Sequence, residues 1–153
     1  MINLILMAVG IANYYDLAPD MFTRLVYAES RFDPAAVSSS GCVGLCQINL
    51  KAWPLDEWVI KTDDPFDPYA NLMQGGHILA WGLKSNYDDR CMAVSAYTLG
   101  QGRVNELQAY NPLTWWRDMD EPIQDYMNYV ARGQESPRWG TWSWRDAVAK
   151  GAR

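Results

Sequence analysis

Pro19-Asp-Met-Phe-Thr-Arg-Leu-Val-Tyr-Ala-Glu29-Ser30 runs directly into Arg31-Phe-Asp-Pro34-Ala-Ala-Val-Ser38-Ser-Ser-Gly41-Cys-Val-Gly44-Leu-Cys-Gln47-Ile48. Phe22, Leu25, Val26 and Glu29 fall at i, i+3, i+4 and i+7, which is one stripe of a helix. Pro19 suits the first turn of such a helix, with Asp20 near its positive end. Pro34 disfavours continuation, so the helix is predicted to run to about Ser30. Three members of the stripe belong in a core, and the fourth is a carboxylate. Burying an ionised carboxylate unpaired is costly, so such a group tends to keep its proton. A carboxyl held neutral near about pH 6–7 can donate that proton to a leaving oxygen. Glycosidic oxygens leave poorly without such help. Periodicity leaves a second reading open, in which Glu29 turns out to solvent or pairs with Arg24 or Arg31.

Outward from this stretch, Pro and Gly punctuate a series of helical segments. Apolar residues from Leu4 to Tyr15 read as a first core helix. Gly44 to Leu50 reads as a short third one. Trp53 to Asp67, with two prolines and several acids, reads as a long surface loop. Asp67-Pro68 is a cap followed by a first-turn proline. Leu72, Leu79 and Leu83 then mark one face of a long helix. Asp88 and Asp89 can cap a helix from about Arg90 to Leu99, which Gly100 ends. Another runs from about Arg103 to Tyr110, and Pro122 opens a last one that stops at Gly133. Strand-like alternation is scarce. The class is mainly α, with room for a small hairpin in a loop.

The chain has 153 residues, enough for one domain with an ordinary core. Hydrophobic residues make up 49% and charged residues 20%, a globular composition. The net charge is −5, and no basic stripe of the kind that neutralises phosphates is present, so nucleic acid is excluded as the expected partner. Leu4–Ala12 is apolar but too short to span a membrane. It lacks a leading Lys or Arg and a clear cleavage site, so it is a poor signal peptide. Three cysteines, Cys42, Cys46 and Cys91, fit no zinc spacing. They are expected as buried free thiols, with one disulfide and a leftover thiol as the alternative.

The stretch from Glu29 resembles the signature of the soluble lytic transglycosylase family: Glu-Ser, then Pro, then Ser, then Gly-Ala-x-Gly-Leu-Met-Gln-Ile. The matches are Glu29, Ser30, Pro34, Ser38, Gly41, Gly44, Leu45, Gln47 and Ile48. Further motifs follow in the family's order. Asn71, Gly75 and Leu79 resemble its Asn-Ile…Gly…Tyr-Leu helix. Ala96-Tyr97-Thr98-Leu99-Gly100 resembles Ala-Tyr-Asn-Ala-Gly, and Pro122…Asp125…Tyr129-Val130 resembles Pro…Glu-Thr…Tyr-Val. The resemblance covers roughly residues 4 to 131 and leaves 134–153 outside as a C-terminal tail. It implies one lysozyme-like domain, 1–153, of about seven or eight helices around a glycan-binding cleft.

By that resemblance Glu29 is the sole catalytic residue of a peptidoglycan lytic transglycosylase. It protonates the glycosidic oxygen between N-acetylmuramic acid and N-acetylglucosamine. It then acts as base on the C6 hydroxyl of the same muramic sugar, giving a 1,6-anhydro ring without consuming water. Ser38 and Gln47 are implied to bind the sugar or its N-acetyl group. Tyr97 lines the cleft, and Tyr129 sits close to Glu29. Gly41 and Gly44 let backbone approach the glycan, or simply make a turn. Several positions depart from the family, these four among them. Cys42 stands for Ala and Cys46 for Met, both soft apolar swaps. Thr98 stands for an Asn and offers less reach to substrate. Asp125 stands for a Glu and is one methylene shorter. No cofactor or metal is implied. The partner is the glycan strand of the bacterial wall, and a monomer is the expected state. A phage particle or a membrane pore would carry the enzyme to the periplasm.

Other residues invite roles. His77, the one histidine, is expected to be structural. Asp63 and Asp64 read as loop acids; facing Glu29, one of them would make the protein a muramidase-type hydrolase. Trp53, Trp58 and Trp81 read as core or loop anchors. The tail Trp139-Gly-Thr-Trp142-Ser-Trp144 reads as packing over the domain, with a wall-binding strip as the alternative. A wall-binding or virion protein without catalysis is the third functional class.

Overall fold

A computed structural model describes residues 1–151 as mainly α, with seven α-helices and one short hairpin among them. The described residues form two compact units. One holds Met1–His77 with the segment from Trp142 onward, and the other holds Ile78–Thr141.

In the first unit, α1 (Ile2–Tyr14) packs on α2 (Pro19–Ser30). The contact face of α1 is Ile5, Ala8, Ile11 and Ala12. That of α2 is Met21, Phe22, Leu25 and Val26, so the apolar members of the expected stripe are all in the core. Each large side chain buried this way contributes about 1.5–3 kcal/mol relative to exposure.

Gly44 to Leu50 forms no helix. β1 (Cys42–Val43) and β2 (Ile48–Asn49) pair antiparallel, Cys42 opposite Asn49 and Val43 opposite Ile48. Gly44 (φ +75°) and Gln47 (φ +50°) both leave the right-handed helical region, and that is what turns the chain back. The loop at 53–67 is as expected, apart from a 3-10 turn at Leu55–Glu57. Trp58 anchors it at 1% exposure, donating its indole N–H to Trp53 O at 2.9 Å.

Helix α3 (Pro68–Ser85) contributes its residues up to His77 to the first unit and the rest to the second. Asp67 caps it, accepting from Ala70 N at 2.7 Å. Leu72 and Leu79 are buried, whereas Trp81, expected as an anchor, is 46% exposed. Two residues beyond Leu79, at about 100° per residue, it lies on the opposite side of the helix.

The second unit is built from α4 (Arg90–Leu99), α5 (Gln101–Tyr110) and α6 (Glu121–Arg132). α4 packs against both of the others. Its N-cap is Asp89, which accepts from Met92 N at 3.0 Å. Met92, Ala96, Val104, Leu107, Trp115, Met119 and Met127 make its core. Beyond α6 the tail is not extended coil: a seventh helix, α7 (Trp144–Ala149), packs against α1 and α2. Among the described residues, no helix is long and apolar enough to cross a membrane.

Candidate active site

Glu29 lies in the last turn of α2, half-buried, one residue short of the helix end. The helix stops because Arg31 takes a left-handed conformation (φ +54°), and Phe32 follows it there (φ +63°). Such conformations are uncommon for residues with a Cβ and cost about 1–3 kcal/mol each. The turn is held in part by Ser30, whose hydroxyl donates to Leu45 O at 2.8 Å. This bond ties the residue next to Glu29 to the Gly44–Ile48 turn.

That turn is pinned from below by Asn71 of α3, which is fully buried. Its Oδ1 accepts from Cys46 N at 2.8 Å, while its Nδ2 donates to Val43 O and Pro65 O, both at 3.1 Å. Asn71 explains Gly44 more fully than the turn does. A Cβ at Gly44 would meet Asn71 Nδ2 at 2.3 Å. Gly41 (φ +82°) has open space around it and is needed only for its backbone conformation.

Gln47 is half-buried, and its Nε2 donates to Ala36 O (3.2 Å) and Gly44 O (3.0 Å). Both partners are carbonyl oxygens, so the amide nitrogen must face them. Ser38 Oγ accepts from Cys42 N at 3.0 Å and pairs with Ser40 Oγ at 2.9 Å. Ser38, Gly41, Gly44 and Gln47 therefore share one hairpin, joined to the end of α2 through Ser30.

The other expected site residues belong to the second unit. Tyr97, half-buried, and Thr98, exposed, are in the last turn of α4. Tyr129 and Asp125 sit one turn apart on α6. Tyr129 is 1% exposed and stacked under Trp139, with ring centroids 5.2 Å apart. Asp125 Oδ2 accepts from the Ser136 hydroxyl at 2.8 Å. Its shorter side chain thus fastens the start of the tail.

The tail also supplies residues that no local pattern marked for the site. Trp142 stacks on Tyr27 at 4.4 Å with 5° between the planes, and is tilted against Phe32 at 5.5 Å. Trp144 donates its indole N–H to Asp20 Oδ1 at 2.7 Å, and Arg145 makes an ion pair with the same oxygen. The Arg145 hydrogen bond, with help from Trp144, holds the Asp20 carboxyl below the ordinary carboxylate range against the opposing effect of its partial burial. The packing reading of the tail is the one these contacts support.

The remaining candidates lie in loops or in packing. Asp63 and Asp64 are exposed, and Asp64 Oδ1 accepts from Phe66 N at 2.9 Å. His77 packs near Tyr15 at 6.2 Å. All three cysteines are free thiols; only Cys46 is buried, and Cys42 and Cys91 are half-buried. Among the described residues, no cluster of His, Cys, Asp or Glu could hold a metal ion.

The family model of the transglycosylase SLT domain matches residues 8–113. The peptidoglycan transglycosylase gp16 of Escherichia phage T7 is 30% identical over 127 residues, which is 79% of this chain and 10% of that protein. The 70 kDa soluble lytic transglycosylase of Escherichia coli superposes with a TM-score of 0.64 at 17% identity, covering 80% of this chain and 24% of that one. A complex of the 70-kDa soluble lytic transglycosylase with bulgecin A gives 0.67 at 18% identity, over 81% of this chain and 22% of that one. The chain spans a tenth of the curated relative and about a quarter of the solved ones. The structural likeness establishes the fold, which is mainly α and lysozyme-like.

Proposed function

Since this chain belongs to the transglycosylase SLT domain family, we propose that it cleaves the glycan strands of peptidoglycan as a lytic transglycosylase, with Glu29 as acid and then base. The observation that carries the reading is the position of Glu29. It is half-buried in the last turn of α2 and coupled through Ser30 to the Gly44–Ile48 turn. The carbonyl-rich end of a helix disfavours a negative charge.

In the proposed cycle, Glu29 protonates the oxygen between N-acetylmuramic acid and N-acetylglucosamine as the bond to the anomeric carbon breaks. The carboxylate left behind takes the proton of the C6 hydroxyl as that oxygen closes on the same carbon. The proton count balances and no water enters. Ser38, Gln47, Tyr97, Thr98 and Tyr129 are assigned to substrate binding, with Gly41, Gly44 and Asp125 in support. In Gln47 the side-chain oxygen is the group assigned to the sugar, because its nitrogen is committed to backbone carbonyls. The site of action is the bacterial wall. The phage relative favours wall penetration or host lysis as the setting.

The test is digestion of purified peptidoglycan, with mass spectrometry of the released fragments. The native chain is expected to release 1,6-anhydro products, one water lighter than hydrolytic ones. Glu29→Gln is expected to lose about 10²–10⁴-fold in rate. Undiminished release by that variant overturns the catalytic reading, and products that have gained water overturn the transglycosylase one.

A further inference from the structure

The segment from Trp142 onward lies outside the residues that the family model matches, yet it is attached to both ends of the helix that carries Glu29. At the first turn of α2, Asp20 takes the indole N–H of Trp144 and the guanidinium of Arg145. At the last turn, Trp142 lies parallel on Tyr27, two residues before Glu29, and against Phe32, three residues after it. Between those two contacts the backbone passes through Arg31 and Phe32, two consecutive left-handed residues that are not glycine. Such backbone persists only where surrounding contacts over-determine it. Ser30 supplies one of those contacts from the hairpin side, and Trp142 supplies the aromatic ones. An acid catalyst displaced by about 1 Å can lose about 10²-fold in rate, so a contact that fixes this turn bears directly on turnover.

We propose that Trp142 is a positioning residue for Glu29, acting through its stack on Tyr27 and Phe32, and that the C-terminal segment is part of the catalytic unit. This rests on the catalytic reading of Glu29. Trp142 is assigned no contact with the reacting atoms. The rings on either side of the turn set where the glutamate points.

Full-length Trp142→Ala, Trp142→Phe and Tyr27→Leu, together with the Trp142→Ala/Tyr27→Leu double variant, test the proposal on soluble glycan fragments. Trp142→Ala is expected to lower kcat about 10-fold while KM stays within about twofold, because a misplaced acid costs the transition state and not ground-state binding. Trp142→Phe keeps an aromatic face and should restore kcat to within about threefold. The double variant should be no worse than the poorer single one, since both changes break the same stack. The carboxyl carbon resonance of Glu29 gives a readout that needs no turnover. It should move in Trp142→Ala, while those of Glu57, Glu106 and Glu121 stay in place.

Native kcat with an unmoved Glu29 resonance in Trp142→Ala overturns the proposal. So does a loss of activity that only tracks the folded fraction, with the Glu29 resonance of that fraction unchanged. Should Trp142→Ala fail to fold, Tyr27→Leu and Trp142→Phe carry the same two readouts. Retained turnover by Glu29→Gln is a different result, because it overturns the catalytic reading whatever the Trp142 variants do.

Discussion

Asn71 is the residue on which the hairpin depends most. It is fully buried, 25 and 28 residues from two of its three backbone partners, and no local pattern announces that role. Asn71→Ala leaves the Cys46 N–H and the Val43 and Pro65 carbonyls without it. The expected loss is about 2–4 kcal/mol in urea unfolding. Gly44→Ala meets a positive φ and a 2.3 Å approach at once, and about 2–3 kcal/mol is expected to be lost by the same measurement. If either variant unfolds like the native chain, the pinned-turn account is wrong. Cys91 gives a prediction of opposite sign. Burial pushes its thiol up, and the Arg132 N–H that it accepts at 3.2 Å only partly offsets this. Less thiolate is present at any given pH below the raised value, so alkylation at pH 8 should be slower than for a free thiol. Spacing alone leaves Glu29 open between a core-facing carboxyl and a solvent or Arg-paired one, and the family resemblance of the residues after it singles out Glu29 and Gly44. Asn71 stood in the resemblance without a task.

At the scale of elements, α2 is the clearest success of periodicity. Phe22, Leu25 and Val26 are fully buried, and Glu29 stands at the boundary of that stripe. The short helix expected at Gly44–Leu50 fails for a local reason. Two left-handed residues, one of them Gln47, take the chain into a hairpin, and a non-glycine positive φ leaves no mark on composition. The tail helix α7 was also unread, since six residues are too few to establish a period. Its attachment carries a pH prediction. Asp20 titrates lower in the folded chain than in the unfolded one, chiefly through its Arg145 hydrogen bond. The stabilising contribution is therefore present above the unfolded value of 3.8 and is lost as pH falls through the folded one. Tryptophan fluorescence followed from pH 7 down to about pH 2 should report release of the tail below that value. Raised salt should weaken the pair, because the Asp20 side chain is 41% exposed. Asp20→Asn should remove this transition, and an unaltered titration in that variant would show that the release has another cause.

The whole molecule carries a net charge of −5. Its proposed substrate carries carboxylates on the muramic sugar and its peptide. Repulsion of like charge slows encounter and is screened over about 10 Å at 0.1 M salt. Release of fragments from purified peptidoglycan should therefore rise about two- to threefold between about 10 mM and 150 mM salt. A fall over that range would point to an attractive charged surface that the sequence does not suggest. The class, most helix positions, the Glu29 stripe and the spaced motif were determined by the sequence alone. The helix positions and the Glu29 stripe rest on residues within about two turns of one another, where backbone geometry converts spacing directly into a shared face, whereas the motif from Glu29 to Ile48 rests on its resemblance to a family signature. Tertiary structure alone decided that Asn71 locks the Gly44 turn, that Asp125 holds Ser136 rather than a more distant group, and that Trp142 closes on Tyr27 and Phe32. These contacts join residues far apart in the chain. Their partners are chosen by which surfaces meet after the core has packed, and no repeat along the chain records that choice.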